Sequence, residues 1–251
     1  MTRNLKPENY QDMPLIGHLV ELRGRLIRVI VVLLVIFLSL LYFANDLYAG
    51  LSAPLRALLP EGSTMIATDV TSPLLAPFKL TFYVAVFIAI PYILYQFWGF
   101  IAPALYQHER RIAIPLVASS IFLFYLGVAF AYFVTLPAIL GFFTTIGPSE
   151  VAIMTDINLY LSFVLKLFVV FGITFEIPIA IIILVAAGLT TPASLAEKRR
   201  YIVVGCFSLA MFFTPPDVLS MIMLGVPMVL LFELGLFASR FFHKSSEIDT
   251  E

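Results

Sequence analysis

The sequence is short of charge. Asp, Glu, Lys and Arg make up 12% of its 251 residues, against roughly 25% in an average soluble domain. With 61% hydrophobic residues, a soluble chain would have to bury nearly all of itself, so the composition is that of an integral membrane protein. Cysteine is almost missing too. Cys206 stands alone, which excludes a disulfide framework and a cysteine cluster for zinc or iron and sulfur. His18, His108 and His243 are scattered, and there is no Gly-x-Ser-x-Gly, no His-Glu-x-x-His, no pair of intramembrane aspartates and no nucleotide motif. Neither an enzyme, a cofactor nor a metal is expected; His18 with Glu21 lacks a second ligand cluster to support it. No basic patch suggests nucleic acid. No internal repeat divides the chain, so 1–251 reads as a single membrane domain.

What is present is a series of six apolar runs, which predicts an all-α membrane fold. Leu26 to Ala44, Phe78 to Phe97, Ile114 to Leu136 and Leu159 to Ala187 are each long enough for a helix to cross a ~30 Å hydrocarbon core. Helices are required because lipid offers the backbone no hydrogen-bond partners. The fifth run, Tyr201 to Phe213, is short. The sixth, Leu219 to Phe232, is also short, barely longer before it meets Glu233, and reaches 239 if it continues through that carboxylate. The two are joined by the helix-breaking turn Thr214-Pro215-Pro216-Asp217. They form either a re-entrant hairpin or a true pair in a locally thinned bilayer. Both alternatives leave the two termini on one side.

The basic residues set the orientation. Of the fifteen Lys and Arg, twelve fall at the termini and in the second and fourth loops: Arg3, Lys6, Arg23, Arg25, Arg28, Arg110, Arg111, Lys198, Arg199, Arg200, Arg240 and Lys244. Only Arg56 and Lys79 fall on the other side, with Lys166 embedded in the fourth run. The positive-inside rule therefore places both termini in the cytoplasm. The first run has a basic segment before it, like a signal peptide, but it is long and lacks a small-x-small cleavage site, so it reads as an uncleaved span.

Several residues ask for individual explanation. Leu15, Leu19, Leu22 and Leu26 are spaced 4, 3, 4, which predicts an amphipathic helix over 14–25 at the interface. On it Glu21 and Arg25 are four apart, the spacing of a surface ion pair. Glu109, directly before Arg110 and Arg111, is either part of a topology anchor with its own counter-ion or part of a site. Trp98 ends the second span as an aromatic suited to the interface. Lys166 is placed to snorkel outward. Glu176, in Phe175-Glu176-Ile177-Pro178, lies near mid-span and should face protein, a polar partner or water; Pro178 frees a carbonyl one turn back. Glu233 is seven residues before Arg240 on one helix face, which suggests that the two are neighbours.

These features resemble the TatC family, the multispanning receptor subunit of the twin-arginine protein translocase. The resemblance is carried in order by His18-Leu-x-Glu21-Leu-Arg23-x-Arg25-Leu26, Phe100-x-x-Pro103-x-Leu105-Tyr106-x-x-Glu109-Arg110-Arg111, Phe175-Glu176-x-Pro178, Thr214-Pro215-Pro216-Asp217 and Phe232-Glu233. It implies a concave, cup-like arrangement of helices in the bacterial inner membrane and export driven by the proton-motive force. It also implies binding of Arg-Arg signal peptides of folded precursors through Glu21 and Glu109, with Arg23, Phe100 and Arg111 in the same region. By the same resemblance Glu176, Met211 and Tyr132 meet the single-span subunits TatB and TatA or other copies of the chain. Pro54, Pro103 and Asp217 would be structural. The alternative is a proton-coupled secondary transporter using Glu176, with Lys166 as a second relay group, although no repeat or paired broken helices support it.

Overall fold

The computed structural model describes residues 14–58, 66–105, 110–146, 156–214 and 217–248, which fold into ten α-helices with no β-strand among them. Helix α1 (Pro14–Leu40) passes through a 3₁₀ turn, Leu41–Phe43, into α2 (Ala44–Leu58). The expected interfacial helix and first span are thus one continuous helix, because no proline separates them and the single glycine at the junction, Gly24, is accommodated within it. Helix α3 (Ser72–Leu105) is 34 residues long. Helix α4 (Arg110–Phe130) runs through a π-helical turn, Ala131–Thr135, into α5 (Leu136–Ile146). The fourth apolar run is broken into α6 (Ile157–Thr174) and α7 (Ile177–Ala186). The break falls one turn before Pro178, whose missing N–H and ring disfavour an uninterrupted helix. A short α8 (Pro192–Glu197), α9 (Arg199–Phe213) and α10 (Val218–Ile248) complete the chain.

Among the described residues, five stretches are long and apolar enough to cross a membrane: Leu19–Leu51, Ser72–Phe100, Ile114–Phe142, Ile157–Ala186 and Val218–Arg240. The remaining apolar run is α9, whose 15 residues extend ~22 Å as a helix. The sixth run is longer than its sequence suggests. Its helix has 31 residues and does not stop at Glu233, because that carboxylate pairs with Arg199 at the start of α9, Nε to Oε1 2.6 Å. Arg199, not Arg240, is the partner: the antiparallel packing of α9 on α10 brings it alongside, whereas seven residues along one helix is about 10 Å.

The core is organised around α6, where Leu161, Val164, Leu165 and Phe171 are fully buried. Leu161 and Leu165 pack with Ala76 and Leu80 of α3, while Val164 and Phe171 share a cluster with Ala210 of α9 and Leu224 of α10. The crossing of α4 and α6 depends on two glycines. A Cβ at Gly127 would lie 2.6 Å from the Phe171 carbonyl oxygen, and one at Gly172 would lie 2.5 Å from the Phe124 ring. Small residues at such points let backbones approach where lipid supplies no hydrophobic drive between helices. Helix α1 packs chiefly on α3 and leaves Leu26, Ile30, Leu34 and Leu38 exposed, the face a helix turns to lipid.

Candidate functional site

Two polar constellations stand out against this apolar frame. The first joins α1 to the last turns of α3. The Glu21–Arg25 ion pair allowed by their spacing is formed: Arg25 Nη2 and Nε donate to Glu21 Oε1 at 2.7 and 2.9 Å. Arg25 also reaches α3, with Nη1 3.3 Å from the Gln96 carbonyl oxygen and 3.2 Å from Gln96 Oε1, and Nη2 2.9 Å from the Gly99 carbonyl oxygen. The Gly99 carbonyl is available for a chemical reason: Pro103, four residues on, has no N–H to donate to it. The same device recurs at Pro91, which frees the Phe87 carbonyl; the Tyr125 hydroxyl of α4 donates to it at 2.8 Å.

The second constellation lies at the α6–α7 break. Glu176 Oε2 accepts a short hydrogen bond from the Ser120 hydroxyl of α4, and Ser120 Oγ accepts from Trp98 Nε1 of α3 at 2.9 Å. Ser120 is fully buried and Trp98 nearly so. Trp98 is therefore an interior hydrogen-bond donor rather than an interfacial aromatic, since the α3–α4 hairpin turns it toward Ser120. Glu176 Oε1 is buried and accepts from no described residue. The carboxylate needed inside a membrane to meet a polar group has thus satisfied one oxygen within the fold, and the other meets no donor among the described residues.

The structure places the remaining expected residues as follows. Arg23 is exposed on α1 and Phe100 half-buried near the end of α3. Glu109 lies outside the described residues, as does the side chain of Arg111, whose backbone is in the first turn of α4. Tyr132 sits in the π-helical turn, edge-on to Phe168 with ring centroids 6.1 Å apart. Met211 is exposed near the end of α9. Pro54 and Pro103 lie within α2 and α3, and their side chains are not among those described. Asp217 caps α10, its Oδ1 accepting from the Ser220 N–H at 2.7 Å. Lys166 is exposed on α6, and the bonded partner of Glu176 is Ser120.

Four contributors had no prediction from sequence. Ser120 gives no sequence signal, being one hydroxyl in an apolar helix. Gln96, a buried amide in an apolar run, could have been singled out by the expense of polar groups in lipid. Tyr125 could have been found by asking what takes a carbonyl freed by proline. Asp156 joins the two loops at the end of the molecule remote from Arg25. Its Oδ1 accepts from the N–H groups of Asn158 and Leu159 at 2.8 and 2.9 Å. Its Oδ2 accepts from the Thr68 N–H and hydroxyl at 3.0 and 2.6 Å. The Thr68 hydroxyl, then the Leu159 N–H, hold the Asp156 carboxyl down at about 2.

Comparison with known proteins gives one consistent answer. The family model described as Sec-independent protein translocase protein (TatC) matches residues 17–227. Sec-independent protein translocase protein TatC from Azotobacter chroococcum mcd 1 is 58% identical over 232 residues, 92% of this chain and 91% of that protein. The protein of the same name from Escherichia coli (strain K12) is 56% identical over 229 residues, 91% and 89% of the two chains. A crystal structure of the twin arginine translocase receptor TatC superposes with a TM-score of 0.80 at 41% identity, covering 90% of this chain and 99% of that one. With sequence and fold matched over nearly the whole length, the chain belongs to the TatC family, the membrane-embedded component of the Sec-independent protein translocase.

Proposed function

We propose that the protein is the receptor and core component of a twin-arginine translocase in the bacterial inner membrane. It binds the Arg-Arg signal peptides of folded precursors at the cytoplasmic face and recruits the single-span subunits TatB and TatA for export driven by the proton-motive force. The observation that carries this reading is the junction at Arg25. It holds the Glu21 carboxylate against the last turns of α3, from which the chain leads directly to Glu109. Two carboxylates presented together suit two guanidinium groups, because a planar guanidinium makes two parallel hydrogen bonds to a carboxylate and an ammonium does not. That geometry accounts for a preference for arginine over lysine. Arg23, Phe100 and Arg111 flank the same region in sequence and complete the proposed contact surface, while Arg110 and Arg111 also fix the orientation.

The bias of twelve basic residues against two supports both termini being cytoplasmic. In this reading Glu176, with one oxygen held by Ser120, presents the other to a polar group of a single-span helix, and Met211 and Tyr132 contribute to contacts with partner helices or further copies. The test is photo-crosslinking of a labelled precursor bearing an Arg-Arg signal to membranes containing the protein. Glu21→Ala and Glu109→Ala are each expected to abolish crosslinking and export; retention of both in either variant overturns the recognition reading.

A further inference from the structure

We infer that Arg25 is a positioning residue for signal recognition, an interlock that seats the Glu21 carboxylate on α3 so that an incoming guanidinium finds it in place. This rests on the proposed recognition of paired arginines. A counter-ion for Glu21 would need only one edge of a guanidinium. Here Nη1 is turned wholly to α3, to both oxygens of Gln96, while Nη2 spans Glu21 and the Gly99 carbonyl. The acceptor set belongs to two helices, so the side chain fixes the position of one against the other.

The α3 sequence is cut to receive it. Pro103 withholds the N–H that would otherwise occupy the Gly99 carbonyl. Gly99 leaves room, for a Cβ there would stand 2.7 Å from Nη1. Gln96 contributes a buried side-chain oxygen as well as its carbonyl. Since α1 packs chiefly on α3, this junction governs where the carboxylate at its basic end stands. It also suits exchange. When Glu21 turns to a signal-peptide guanidinium, Arg25 retains three acceptors on α3, so the α1–α3 seat survives the loss of its own ion pair. Lysine cannot substitute, because a single ammonium cannot span Glu21, Gln96 and Gly99 in the planar fork geometry.

The experiment compares Arg25→Lys and Gln96→Leu with the unmodified protein in membranes containing matched amounts of each. Two signals are read, Arg-Arg and Lys-Lys, by photo-crosslinking of the precursor. Crosslinks to the single-span subunits are read in the same membranes as a measure of the fold. Arg25→Lys is expected to lower Arg-Arg crosslinking about tenfold, the scale of one lost charge-assisted hydrogen bond. Gln96→Leu should shift it in the same direction by a smaller factor. In both, the ratio of Arg-Arg to Lys-Lys crosslinking should fall while partner crosslinks persist. Arg-Arg crosslinking within twofold of the unmodified protein in Arg25→Lys overturns the inference, as does a loss matched by equal loss of partner crosslinks, which would make Arg25 merely structural. If Glu21→Ala and Glu109→Ala abolish binding while Arg25→Lys does not, only the role of Arg25 fails. If all three bind normally, the recognition reading fails with it.

Discussion

Ser120 offers the sharpest test of the intramembrane network, because a single hydroxyl serves two buried groups on two other helices. Ser120→Ala removes the acceptor of the Trp98 indole N–H, in a residue 7% exposed, and the donor to Glu176 Oε2. Stranding a buried polar group costs about 1–3 kcal/mol, so with two groups stranded the variant should lose about 2–6 kcal/mol. Trp98→Phe removes the donor and leaves a partial cavity, a loss of about 1–3 kcal/mol. In the double variant the indole is no longer stranded by the missing hydroxyl, so the two losses should overlap by about 1–2 kcal/mol. The cycle is measured by unfolding in mixed detergent micelles followed by circular dichroism. Trp98 is the sole tryptophan, so its emission in Ser120→Ala reports directly on the broken bond and should change relative to the unmodified protein. Losses that add to within about 0.5 kcal/mol, together with unchanged emission, would refute the bridge.

Asp156 predicts a pH dependence. Its carboxyl is held at about 2 in the fold against an ordinary 3.8, so its stabilisation is complete above the ordinary value and is lost as pH falls from there toward 2. The protection factor of the Thr68 amide, its exchange rate relative to the intrinsic rate at the same pH, should fall across that window, and in Asp156→Asn that fall should vanish. Glycine substitutions should divide by what surrounds them. Gly127→Ala, which drives a Cβ into the Phe171 carbonyl, should lose about 1–3 kcal/mol in the same unfolding assay, whereas Gly205→Ala, with nothing within 4 Å, should be neutral or stabilising by up to ~1 kcal/mol. Equal effects would contradict the α4–α6 crossing. Glu176→Ala should spare signal crosslinking and diminish crosslinks to the single-span subunits; undiminished partner crosslinks would remove Glu176 from that interface.

The sequence by itself determined the helices, because a helix in lipid satisfies its backbone within one segment and needs only a long enough apolar run. The runs beginning at Leu26, Phe78, Ile114 and Leu159 all appear as helical stretches long enough to span. It also marked Glu176 as a polar group needing an account, since charge within a span is scarce and costly. What it did not contain was partnership. Glu233 looked seven residues along its own helix to Arg240, but Arg199 faces it from α9. Trp98 looked to the interface, but Ser120 faces it from α4. The freed carbonyls of Gly99 and Phe87 could be deduced from Pro103 and Pro91, yet not that Arg25 and Tyr125 would fill them. Backbone hydrogen bonding is local and leaves its signature along the chain. Side-chain pairing between helices depends on crossing points set by packing, such as the contact of Gly127 with the Phe171 carbonyl, and only the tertiary structure fixes those.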